Sequence, residues 1–364
     1  MALELSRRQW LHAACLAGAA GVLDLSMTGC ASTAAEKRVS FLNWQNYVDP
    51  KLLTAFTEES GLDVGYQTYE SNDELRDLLL AAGVTRKGGR KTTTYDLVVP
   101  SENLFASLLA ADALAKLDTS IVTEPLLGNL APTYRRLAAD PGNQYGVPWA
   151  TGTTGIGYDT TVFPEPPTWE VFLDDTHAGK MSLLDEQREA FAAALFSLGE
   201  DINTTDPGVI AAAEEQLKKF HANASFNSAT YLDDLADGQL VLAQGFNTDV
   251  LQAARRNPRL SFVIPEEGGT TWIDLLCIPQ DAPNPEGASR LIAFYLDPKN
   301  SAANAAYNLV ATGNEAAGRF VPPELLDDPA IYPPADVVAT LVAIEDLGDA
   351  EGRYTDAWER VTNG

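Results

Sequence analysis

Apolar and polar positions along the chain follow two periods. Short apolar or alternating runs predict strands, and apolar residues three or four apart predict helices. VSFLNW, residues 39–44, is the first predicted strand. Asp49-Pro50 then caps and starts a helix with Leu52, Leu53 and Phe56 on one face and Gly61 as its stop. LDVGYQTY predicts the next strand, and Ser71-Asn72-Asp73-Glu74 is a capping box opening the helix ELRDLLLAAG. YDLVVP, residues 95–100, predicts a buried strand, followed by the helix FASLLAADAL. Residues 145–159, YGVPWATGTTGIGYD, form a Gly/Thr-rich crossing with two strand-like halves, expected to link two lobes. Beyond it lie MSLLDEQREAFAAALFSLG (strand into helix), DPGVIAAAEEQLKKF (helix), LVLAQGFN (strand into turn) and LSFVIP (strand). TTWIDLLCIP predicts a further strand, EGASRLIAFYL and SAANAAYNLV predict helices, and YTDAWERV is amphipathic. Alternating strands and helices indicate an α/β architecture.

With 364 residues, 45% of them hydrophobic, the chain can build one large domain or two lobes. Its net charge of -26 makes nucleic acid a poor partner. An acidic surface attracts cations at long range, although ordinary solvation explains it equally well. Against this background GVTRKGGRKTTT, residues 83–94, is a basic, glycine-rich segment and reads as an exposed loop.

The first 29 residues read as a signal peptide. Ser6-Arg7-Arg8 precedes an apolar stretch too short to span a bilayer, a twin-arginine-like arrangement. Met27-Thr28-Gly29-Cys30 resembles a bacterial lipobox, so Cys30 is the expected lipidation site and would anchor the protein to the membrane surface. Cys15 lies in the apolar stretch and Cys277 in a predicted buried strand, which leaves no cysteine pair for a disulfide.

Enzyme signatures are sparse. The three histidines, His12, His177 and His221, support neither a metal cluster nor a Ser-His-Asp site. No nucleophile elbow or Walker loop occurs, and Gly152-Thr-Thr-Gly155-Ile-Gly157 lacks the full dinucleotide fingerprint. What remains is a set of aromatic and acidic residues at strand ends. Trp44 and Tyr47 follow the first strand, Trp272 and Asp274 share one face of a strand, and Phe246 ends LVLAQGF. Glu186 and Glu189 are three apart at a helix start. Each has a structural alternative: the glutamates complement a helix dipole, and Trp272 and Phe246 fill a core. Together they mark the carboxyl ends of strands, where open α/β sheets bind ligands. Aromatic walls lined with carboxylates suit an organic cation.

These motifs together resemble the periplasmic spermidine/putrescine-binding proteins of ABC transporters. The resemblance spans about residues 38–360 and is carried by FLNWQNYVDPKLLTAFTEESG, TYESNDEL, YDLVVPS, the SLL-D-REAF pattern at 182–191, NTTDP, FNS and EEGGTTWIDLLCIP. It implies a two-lobe periplasmic-binding-protein type II fold with an interlobe cleft and a hinge. By that analogy one lobe comprises residues 37–149 plus 271–319 and the other 150–270 plus 320–364. It implies a monomeric binding protein, not an enzyme, with neither cofactor nor metal. The protein would carry a polyamine-like cation to an ABC permease in the membrane. Carried over residue by residue, Trp44, Tyr47, Ser101, Trp272 and Asp274 keep the family's residue types. Glu189 keeps a carboxylate, and Glu186 replaces an aspartate. Gln45-Asn46 stands where relatives often have a Ser/Thr-acid pair, Asn103 and Phe246 replace a tyrosine and a tryptophan, and a late tyrosine is lost near Ala311-Thr312. These departures point to a different polyamine, or to another amine-bearing or quaternary ammonium solute. A lyase or hydrolase on the same scaffold would need an activated nucleophile or acid-base pair in the cleft.

Overall fold

The computed structural model describes residues 37–81 and 93–363. The expected signal segment, Cys30 and residues 83–92 of the basic loop therefore lie outside the described residues. Eleven strands share one curled sheet: β1 (Arg38–Trp44), β2 (Asp63–Tyr69), β3 (Leu97–Val98), β4 (Gly146–Asp159), β5 (Met181–Leu183), β6 (Ala224–Phe226), β7 (Leu242–Phe246), β8 (Leu260–Val263), β9 (Gly269–Cys277), β10 (Ala311–Thr312) and β11 (Leu341–Ala343). The order is β2-β1-β3-β9-β4-β7-β5-β6, with β8 and β10 on β4 and β11 on β9.

Helices pack on the flanks, and their ends follow local chemistry. The helix Pro50–Ser60 begins at Asp49, whose side chain accepts from the Lys51 N–H, and stops at Gly61 with φ 71°. The helix Asn72–Ala81 starts at the predicted capping box. Ser71 Oγ accepts from the Glu74 N–H at 3.1 Å, while the Glu74 carboxylate reaches one residue further than expected, to the Glu70 N–H at 2.8 Å. YDLVVP contributes only a two-residue strand, and beside it the buried Asp96 carboxylate takes the Ser40 N–H at 2.7 Å.

Two buried apolar clusters are the largest among the described residues. One joins Val39, Phe41, Leu97, Val147, Leu276 and Leu291. The other joins Ile156, Phe191, Leu217, Leu242 and Tyr354. β4 enters both. It is one 14-residue strand rather than two halves, with a register shift between Pro148 and Ala150 against β9. Its glycines are packing features. A Cβ on Gly152 would meet the Trp272 ring at 2.3 Å, and one on Gly157 would meet Val250 at 2.6 Å. Among the described residues no helix is long and apolar enough to cross a membrane.

Candidate functional site

β1 delivers Trp44 to the sheet edge, and the chain then turns through Asn46, whose φ of 53° lies in the left-handed region that asparagine tolerates. The turn sends Tyr47 inward, where it is 5% exposed, and Asn308 Nδ2 donates to its carbonyl at 2.6 Å. Trp44 Nε1 donates to the Val99 carbonyl at 3.0 Å, and its ring lies 4.6 Å from Tyr69. Trp272 lies on β9 opposite Gly152 of β4, whose missing side chain leaves room for the indole. Phe246 meets Trp272 edge-on at 6.1 Å, and Tyr47 lies 6.4 Å from it on another side.

The carboxylates sit among these rings. Asp274 is 4% exposed; Ser101 Oγ donates to its Oδ1 at 2.6 Å and the Tyr47 hydroxyl to its Oδ2 at 2.8 Å. Burial pushes its carboxyl up to about 7, against the lowering effect of those two donors. Glu189 is also buried, and Thr154 and Thr270 donate to it at 3.1 and 2.9 Å. Burial raises it to about 7, opposed by the threonine bonds and by Arg188. Glu186 caps its helix without a side-chain hydrogen bond, and its Oε1 is buried without a partner. Burial pushes its carboxyl well above the usual range, and the neighbouring Glu189 adds to this.

All eight residues singled out from the sequence, Trp44, Tyr47, Ser101, Glu186, Glu189, Phe246, Trp272 and Asp274, line one cavity of about 170 Å³. Sequence reasoning missed Asp249, Tyr231 and Tyr69 in the same lining. Tyr231 donates to Asp249 at 2.7 Å, and burial raises that carboxyl to about 6. Asp249 lies in the first turn of the helix Asn247–Arg256, where an acid is unremarkable, so only its spacing from Phe246 offered a signal. Arg188 also lines the cavity, but its guanidinium turns to Glu351, Asn203 and two backbone carbonyls.

Gln45 donates to Glu70 at 2.6 Å, and Asn103 accepts from the Leu104 N–H at 2.8 Å, so both are occupied by protein partners. Ala311-Thr312, near which the family's late tyrosine is lost, forms β10 against β4. Among the described residues no group of His, Cys, Asp and Glu side chains is arranged to hold a metal ion. The chamber is aromatic-walled and lined by carboxyls whose burial raises them above the usual range. Such a chamber suits a cation with N–H donors and methylene stretches.

The family of bacterial extracellular solute-binding proteins matches this chain over residues 51–333. The spermidine/putrescine-binding periplasmic protein of Salmonella typhimurium is 36% identical over 350 residues, covering 95% of this chain and 97% of that protein. Among solved structures, the spermidine/putrescine ABC transporter substrate-binding protein PotD of Streptococcus pneumoniae superimposes with a TM-score of 0.75 at 29% identity. It covers 90% of this chain and 99% of that one. A lipoprotein of Treponema pallidum, TpPotD, gives a TM-score of 0.76 at 26% identity, covering 89% and 99%.

Proposed function

The chain belongs to the bacterial extracellular solute-binding proteins, and from this premise we propose that it captures a polyamine of the putrescine or spermidine type between two lobes and delivers it to an ABC permease. The observation that carries the reading is one aromatic-walled cavity lined by carboxylates from separate elements: the buried Asp274 on β9, and the buried Glu189 with the half-buried Glu186 at a helix start. Asp274 receives one ammonium, and Glu186 and Glu189 receive another. Trp44, Tyr47, Trp272 and Phe246 cover the methylenes between them, and Ser101 holds Asp274 in place. The two cores support lobes of residues 37–149 plus 271–319 and 150–270 plus 320–364. The chemistry in the cavity is recognition, and the ligand leaves unchanged. We propose further that the monomeric protein is exported and held at the membrane by lipid on Cys30. The lipobox-like Met27–Cys30 stretch and the lipoprotein among the relatives support the anchor. Cys30→Ala is expected to move the protein from the membrane fraction to the soluble one; retention in the membrane overturns the anchor.

Titration calorimetry with putrescine, spermidine, agmatine and choline tests the substrate class. Heat with at least one of the primary amines is expected, and silence with all four cations overturns the reading. A second reading, a quaternary ammonium or other amine-bearing solute, is favoured by the engagement of Gln45 and Asn103 with protein partners. For a quaternary ligand, which has no N–H to donate, Trp44→Ala is the more damaging change; for a polyamine, Asp274→Asn is.

A further inference from the structure

Near its C-terminus the chain crosses the cleft once more. β11 pairs in parallel with Gly269–Thr271 of β9, the chain runs on through residues 344–350, and Ala343 and Ile344 line the cavity. Arg188 ties this strap down on one side, from a position between Glu186 and Glu189. Its Nη1 donates to the Glu345 carbonyl at 3.1 Å and to Glu351 Oε1 at 2.5 Å. Its Nη2 donates to the Ile202 carbonyl at 3.2 Å and to Asn203 Oδ1 at 3.1 Å. The guanidinium also lies 4.6 Å from the centre of the Tyr354 ring. Asn203 completes the tie: its Oδ1 accepts from the Glu345 N–H at 3.0 Å and its Nδ2 donates to the Ala343 carbonyl at 2.9 Å. REAF and NTTDP, far apart in the sequence, thus meet on the strap.

The opposite side holds the strap through a single carboxylate. Asp346 Oδ2 accepts from Ser107 Oγ at 2.7 Å, while its Oδ1 accepts from the Gly348 N–H at 2.8 Å. These donors hold its carboxyl below the usual range, which keeps it ionised as an acceptor. Ser107 belongs to the helix Glu102–Ala110, which begins beside Ser101, the donor to Asp274. The strap is therefore bonded to both walls of the cleft. A planar fork suits the first tie, because a lysine ammonium cannot span four acceptors in two directions.

We propose that Arg188 is a positioning residue for ligand capture: with Asn203 it sets the strap 343–351 over the cavity, and the Ser107–Asp346 bond latches that strap to the wall carrying Asp274, slowing escape of the bound solute. This rests on the reading of the cleft as a polyamine site, so the test has one arm with putrescine and one without ligand. In the ligand-free arm, Arg188→Gln and Arg188→Lys are both expected to speed hydrogen exchange by about tenfold at the Glu345 amide, which donates to Asn203 Oδ1, and at the Leu347 amide, which donates to Glu351 Oε1 at 3.3 Å, as those two acceptors are released. In the putrescine arm, stopped-flow tryptophan fluorescence on Ser107→Ala is expected to show dissociation about fivefold faster with an unchanged association rate. Unchanged strap exchange in Arg188→Lys overturns the positioning role, since charge alone then suffices. Unchanged dissociation in Ser107→Ala overturns the latch. If Arg188→Gln does not fold, Asn203→Ala takes its place in the exchange arm. If the wild-type protein gives no signal with putrescine, spermidine and then agmatine take its place in the dissociation arm; silence with all three overturns the polyamine reading, and the latch with it, while the exchange arm still decides the Arg188 tie.

Discussion

Asp274 concentrates the chemistry of the cleft. Both of its oxygens already accept from hydroxyl donors, so the carboxylate is aimed before any ligand arrives. Replacement by asparagine removes the charge at constant shape and is expected to weaken putrescine binding by about 1.5–3 kcal/mol, read by calorimetry. Unchanged affinity would remove Asp274 from the site. The carboxyls of Asp274 and Glu189, both raised to about 7 by burial, and of Asp249, raised to about 6, make binding sensitive to pH. A cation favours their ionised forms. Affinity is therefore expected to be highest near pH 8 and to fall as pH drops through 7 to 5. Near pH 6–7 binding expels protons, measurable as a dependence of binding heat on the ionisation enthalpy of the buffer. A buffer-independent heat at that pH would contradict the burial argument. At this scale the sequence was informative where residue type was unusual for its place, as with two aromatics at a strand-to-helix turn. It was silent on Asp249, one acid among many at helix starts.

Strands set the spacing of these residues. β9 presents Thr270, Trp272 and Asp274 on one face, and β4 gives Gly152 beneath the indole. An alanine at 152 would press its Cβ against Trp272 and against Asn247 Oδ1, which accepts the Thr153 N–H. Gly152→Ala is expected to cost about 1–3 kcal/mol of stability through overpacking, read as a lowered denaturation midpoint, and to weaken ligand binding with it. The alternation in TTWIDLLCIP made this face legible, because period-two patterning is local. The continuity of β4 was not, because glycine and threonine alternate there without an apolar period. β10 and β11 were also missed: each is two or three residues long and exists only because a long-range partner is present.

Over the whole molecule, charge and burial act together on stability. The buried cleft carboxyls have folded-state values above those of the unfolded chain, which lie near 4. Their contribution is fully present below about pH 4 and is lost as pH rises through about 6–7. The net charge of -26 at neutral pH adds self-repulsion in the same direction. The ligand-free protein is therefore expected to melt at higher temperature at pH 5 than at pH 8, with a bound cation closing much of the gap; a higher melting point at pH 8 without ligand would contradict this. The α/β alternation was legible, since burial of apolar faces is written in each segment's period. The strap was not, because its anchors, Arg188, Asn203 and Ser107, are polar residues whose meeting depends on the finished fold.

Thr270 clamps Glu189, Trp272 stands in the middle, and Asp274 closes the far end, all in one row on β9, a pleated ribbon whose four-residue span is about 13 Å between Cα atoms. The strand thus works as a ruler. Its marks are a threonine that holds the Glu189 carboxylate, an indole and the Asp274 carboxylate, and the strand that spaces them is paired to β4 at each of the three. Diamines of increasing length, titrated one methylene at a time, would be measured against the spacing of that row.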